Sequence, residues 1–168
     1  LAFKAASNPA TLVLDSLEGF YPIESSPPPS DGKKDANLLG MRRTCIMLME
    51  CLSVLLSGLD SNSLVAVLSE DVKDRAKGVA EGWSPLLETI DMDAGNGNSL
   101  EAHAFLQLLA TFGIVSEFEE DGILKLIPMV SRRRQAAELC RSLGLSEKMP
   151  GLFSNFKSYD IMFLHHWS

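Results

Sequence analysis

Apolar positions along this chain recur at intervals of three and four residues, and no stretch alternates apolar with polar over the length of a strand. Val13, Leu14, Leu17 and Phe20 form the first series, introduced by Asn8-Pro9. That pair suits a helix start: the asparagine oxygen accepts from free backbone N–H groups, and proline has no N–H to leave unpaired. Pro22 is expected to stop it, and residues 22–35, rich in Pro and Ser, read as an exposed linker. A second helix is expected from about Ala36 to Leu56, and a short third one carries Leu64, Val65 and Leu68. Val72, Ala76, Val79, Ala80 and Trp83 stripe the next, which Pro85 should kink or restart. Residues 91–98 (DMDAGNGN) read as a polar loop, after which Ser99 can cap a helix holding Leu100, Phe105, Leu108, Leu109 and Phe112 and closed by Gly113. Ser116 and Glu119 have the spacing of a capping box for a helix containing Ile123, Leu124, Ile127 and Val130, which Pro128 should kink or end early. Gln135 to Leu143 and a segment opening at Ser146 or Pro150 complete the series. The expected fold class is all-α, about eight helices in an irregular bundle or solenoid-like stack, with no sheet.

The run from Leu38 to Leu59 is apolar enough to suggest a membrane span, but Arg42, Arg43 and Glu50 interrupt it. An ionised group near its centre would cost on the order of 3 kcal/mol in a bilayer. A helix buried by its neighbours over most of its circumference accounts for the run better. Cys45, Cys51 and Cys140 have no metal-binding or redox spacing and are expected to be free, buried thiols.

Composition adds two constraints. With 46% hydrophobic and 22% charged residues in 168, the chain can build one ordinary core. A net charge of −7 disfavours nucleic-acid binding by bulk electrostatics, which needs a cationic face. The charge is unevenly placed: residues 60–121 hold thirteen acids against three bases, and residues 122–168 three acids against seven bases. Such a division can simply be two solvated surfaces, or it can steer different partners.

No catalytic pattern accompanies these charges. His103 stands alone on a helix and is expected at its surface, while adjacent His165 and His166 would point apart on one. The alternating Asp and Asn of the 91–98 loop suggest calcium, but a binding loop starting at Asp91 would have Asn96 where glycine is needed and Ala102 where the bidentate glutamate belongs. No enzymatic activity, cofactor, metal or small-molecule substrate is expected. The acids Glu117, Glu119, Glu120 and Asp121 sit where a helix N-terminus favours negative charge. Arg132, Arg133 and Arg134, with Arg141 beyond, read as a solvated basic face, a partner-docking surface or, least of the three, a DNA contact. The expected partner-binding residues are these four arginines together with the four acids.

Several long segments are distinctive. Leu100–Gly113 followed by IVSEFEEDGIL, SRRRQAAELCRSLGLSEKMP (131–150), NPATLVLDSLEGFYP (8–22) and GMRRTCIMLMECL (40–52) closely resemble the FRIGIDA-like family of plant proteins. The resemblance runs from Leu1 to about Pro150 and implies the N-terminal part of a central helical domain. It also implies a scaffold, nuclear or both nuclear and cytoplasmic, that assembles transcription-activating complexes of several proteins on a floral repressor gene. Residues 151–168 depart from the family pattern as an atypical tail, and Gly82-Trp83-Ser84-Pro85 departs from an uninterrupted helix. A truncated domain would expose an apolar seam through which copies could associate. Two rival readings are a direct nucleic-acid-binding regulator and a half-domain with no function of its own.

Overall fold

Seven α-helices and two 3-10 turns, with no strand, make up the described residues of the computed structural model, which are 8–22, 32–90 and 97–148. In chain order the helices are α1 (Pro9–Ser16), α2 (Gly32–Ser57), α3 (Ser61–Val67) and α4 (Glu70–Leu87). After α5 (Leu100–Phe112) come a 3-10 turn (Val115–Glu117), α6 (Glu120–Leu126), a second 3-10 turn (Ile127–Val130) and α7 (Ala136–Ser142). The calcium-like residues 91–96, most of the linker, the histidine pair and the 151–168 tail lie outside the described residues.

Local chemistry sets most boundaries. Asn8 Oδ1 accepts from the N–H groups of Ala10 and Thr11 at 2.9 and 3.3 Å, Ser69 caps α4 and Ser99 caps α5, each taking up an N–H that the first turn leaves free. Gly113 ends α5 at φ 66°, where a side chain would be strained. α6 stops at Leu126, two residues before Pro128, as expected of a ring that cannot continue the ladder.

Several expectations need correction. The chain does not restart at Pro85: α4 runs unbroken through Gly82-Trp83-Ser84-Pro85 to Leu87, because a proline in the last turn forfeits only one hydrogen bond. The capping box fails, since Ser116 lies inside the first 3-10 turn and the N-cap of α6 is Glu119, whose side chain makes no capping bond. The most enclosed helix is α5 and not α2. α5 packs against α2, α4, α6, α7 and the second 3-10 turn, and ten of its residues are buried. It can be enclosed because it carries no Lys or Arg and only Glu101 among acids. By contrast α2 begins at Gly32 and leaves Met47, Cys51 and Val54 exposed along one face, so the expectation of three buried thiols holds only for Cys45 and Cys140.

The core runs through every layer of the bundle. Val13, Leu14, Leu17 and Phe20 cover one end, where Phe20 stacks on Trp83 of α4 at 4.5 Å between ring centroids. Met49 and Leu52 of α2 and Leu106, Leu108, Leu109 and Phe112 of α5 are all fully buried in the same core. Ile123, Ile127, Met129, Val130, Leu139 and Cys140 close the other side.

Candidate functional site

A polar seam crosses this core. His103, Gln107 and Thr111 recur every four residues on α5 and so share one face, which is turned toward α2. Thr111 Oγ1 lies 2.7 Å from Ser53 Oγ and receives a bond from Gln107 Nε2 at 3.0 Å. These bonds satisfy groups that would otherwise be costly to bury and align α2 with α5.

His103 is not a surface residue: its side chain is wholly enclosed. Arg133 Nε donates to His103 Nδ1 at 2.5 Å, which puts the histidine proton on Nε2, facing Glu50 Oε1 at 3.6 Å. Neither of those two atoms has a hydrogen-bond partner. Burial, reinforced by the Arg133 charge, lowers the His103 pKa to about 4, so the ring is neutral at pH 7 and Glu50 faces no imidazolium. Burial also raises the Glu50 pKa, against the pull of Arg133. A histidine between a guanidinium and a carboxylate has the outline of a relay, yet it lies under the surface with no nucleophile in line. Its contacts join α5 to Arg133 and face Glu50 of α2.

The basic run is divided by the fold. The Arg132 backbone N–H donates to Gly97 O at 2.7 Å, and Gly97 has φ 77° with Arg132 Cγ 3.0 Å from where a Cβ would stand. Arg133 reaches inward, adding a bond from Nη1 to Asn98 Oδ1 at 3.0 Å. Arg132 and Arg134 are exposed, and Arg134 is also engaged. Arg141 pairs with Glu138 one turn earlier on α7, away from this cluster in sequence and bonding. Arg133 joins Arg42 and Arg43 beside a cleft of about 580 Å³ near the start of α5, an assembly that sequence spacing did not indicate.

The acidic residues also separate. Glu117 forms an ion pair with Lys77 of α4 at 2.8 Å, and Glu120 pairs with Lys148. Asp121 occupies the first turn of α6, where the helix dipole favours it. Glu117 and Glu119 line a groove of about 660 Å³ between the end of α4 and α6, which Glu81 of α4 and its C-cap residue Glu88 also line. Phe105, Phe118, Ile123 and Leu126 form its apolar floor, with Phe105 and Phe118 edge to face at 5.7 Å. Lys125 is the single basic residue of its lining.

No group of three or more His, Cys, Asp or Glu among the described residues is arranged to hold a metal ion, and no described helix is long and apolar enough to cross a membrane. Fold and surface together define, among the described residues, an all-helical domain with an acid-rimmed groove and a polar seam between α2 and α5. The chain belongs to the Frigida-like protein family, whose model matches residues 1–156. It is 79% identical to FRIGIDA-like protein 3 of Arabidopsis thaliana over 152 residues, 90% of this chain and 27% of that protein. Inactive FRIGIDA-like protein 2 is 33% identical over 90% of the chain and 28% of its own length, and Protein FRIGIDA 28% identical over 90% and 24%, both from the same plant. The chain therefore spans roughly a quarter of the length of these relatives, as those shares show. No solved structure matches.

Proposed function

We propose that this chain belongs to a non-enzymatic scaffold that assembles a nuclear transcription-activating complex, promotes expression of a floral repressor and so regulates flowering time. Residues 1–150 would form the N-terminal part of its central helical domain. Family membership supports a regulatory role, and the observation that carries the protein-binding part is the open groove bordered by Glu117 and Glu119. An acid-rimmed apolar surface suits protein contacts and repels a phosphate backbone. The exposed arginines Arg132 and Arg134, with Arg141, Glu120 and Asp121, are the further residues assigned to the partner surface. Copies could also meet along the Met47, Cys51 and Val54 face of α2.

Charge reversal of Arg132 and Arg134, with Arg133 spared because it supports His103, should weaken co-purification of complex partners with the full-length protein from plant nuclei. Helical circular dichroism should stay unchanged. Undiminished co-purification would sink the assignment of those arginines, and a salt-dependent DNA gel shift by the isolated chain at micromolar concentration would favour nucleic-acid binding instead.

A further inference from the structure

The geometry points to the groove between α4 and α6 as the seat of an amphipathic helix from another protein, inserting apolar side chains and presenting Lys or Arg on its flanks. This rests on the reading of the chain as a scaffold and names the class of segment it would hold. Three observations converge. The first is charge: four exposed carboxylates line the groove with Lys125 as its one basic lining residue, while Lys77, outside the lining, pairs with Glu117 and lies within electrostatic reach of Glu81. A basic flank on an incoming segment would meet Glu81, Glu88 and Glu119.

The second is Gly122. It lies inside α6, a seven-residue helix that would be better formed with almost any other residue there. Its backbone does not need a positive φ, and a Cβ added to it would meet nothing within 4 Å. Internal packing therefore does not require glycine at this position. What the missing side chain does is keep the wall of the groove open.

The third concerns the occupant's backbone. The described walls are helices and turns, with no strand edge to receive a β-strand by main-chain pairing. An extended segment laid on Phe105, Phe118 and Ile123 would leave its amides unpaired over an apolar floor, whereas a helix satisfies its own. Phosphate-bearing ligands are disfavoured by the same carboxylates.

The test uses the full chain and a fluorescent synthetic peptide of leucine and lysine, with leucines at helical spacing i, i+3, i+4 and i+7, beside a leucine–glutamate counterpart. The lysine peptide should bind, weaken with added salt and outcompete the glutamate peptide by about tenfold or more. Gly122→Leu, which fills the groove, should weaken binding by about tenfold. Gly122→Ala should melt at a higher temperature and still bind, which separates blocking from misfolding. Glu81→Lys with Glu88→Lys, exposed positions on α4 and at its C-cap, should reduce affinity for the lysine peptide and raise it for the glutamate peptide. Equal binding of the two peptides, or of wild type and a folded Gly122→Leu protein, would overturn the inference. It would leave the scaffold reading standing, because nuclear co-purification reports on that separately.

Discussion

Arg42 interrupts the apolar run of α2 and is nonetheless only 9% exposed. Its guanidinium donates to Phe20 O at 3.1 Å and to Glu101 Oε1 at 2.7 Å, and lies about 5 Å over the Phe20 and Tyr21 rings. Burial and the neighbouring Glu101 carboxylate raise the Tyr21 pKa, which keeps that hydroxyl a donor toward Glu101. One cation thus ties the segment after α1 to α2 and α5. Arg42→Ala should cost about 3 kcal/mol in urea denaturation, because it strands Glu101 and a backbone carbonyl. Arg42→Lys should recover little, since an ammonium cannot bond both acceptors while stacking on a ring. His103 sets a pH dependence. Its folded pKa, about 4, lies below the ordinary 6.5, so the unfolded chain binds the extra proton in that window. Its contribution is full above pH 6.5 and declines as pH falls toward 4, by up to about 3 kcal/mol. Glu50, whose folded pKa is raised, titrates in the opposite sense and blunts the loss. His103→Gln should flatten the stability profile over this range; a profile as steep as wild type would remove His103 as its source.

Caps explain why some helix boundaries were legible and one was not. Asn8, Ser99 and Gly113 act locally, through their own backbone or an N–H a few residues away, so their identities suffice to place a boundary. Ser116 and Glu119 also had capping spacing, but Ile114 and Phe118 are drawn toward the core and wind the intervening residues into a 3-10 turn. Glu119 then occupies the N-cap with a side chain one methylene too long to bond the first turn. Glu119→Asp should therefore stabilise the protein by about 0.5–1 kcal/mol, and Ser99→Ala should destabilise it by about 1 kcal/mol, both measurable as shifts in the denaturation midpoint. The same distinction governs the candidate site. The acidity of Glu117 and Glu119 was visible in sequence, but Glu81 on α4 and Glu88 at its C-cap lie some thirty residues away and join them only through the packing of α4 on α5. The buried role of His103 had a visible signal in principle: His103, Gln107 and Thr111 form a polar row on a helix otherwise almost wholly apolar. A row of that kind in a helix whose one charged residue is Glu101 is best satisfied by a partner inside the protein.

At the scale of the molecule, α5 is the element on which the others depend, and stability should be distributed accordingly. α2 and α4 flank it, while α6, α7 and the second 3-10 turn close the rest of its circumference. α3 is the opposite case: none of its seven residues is buried, and Val65 is 70% exposed. Opening α3 breaks few apolar contacts, whereas opening α5 separates nearly every layer at once. Hydrogen exchange should follow this ranking, with amides of Leu106, Leu108 and Leu109 exchanging only by global unfolding and those of α3 exchanging by local opening. Leu106→Ala should then lower the protection of α1, α4 and α7 together by the same amount, about 3 kcal/mol, because the cavity is charged to the one cooperative core. Loss of protection confined to α5 would show instead that the bundle has separable halves. Such separation would matter for the groove as well: its floor residue Phe105 is on α5 and its two walls are α4 and α6, so a groove of fixed shape requires all three to move as a unit.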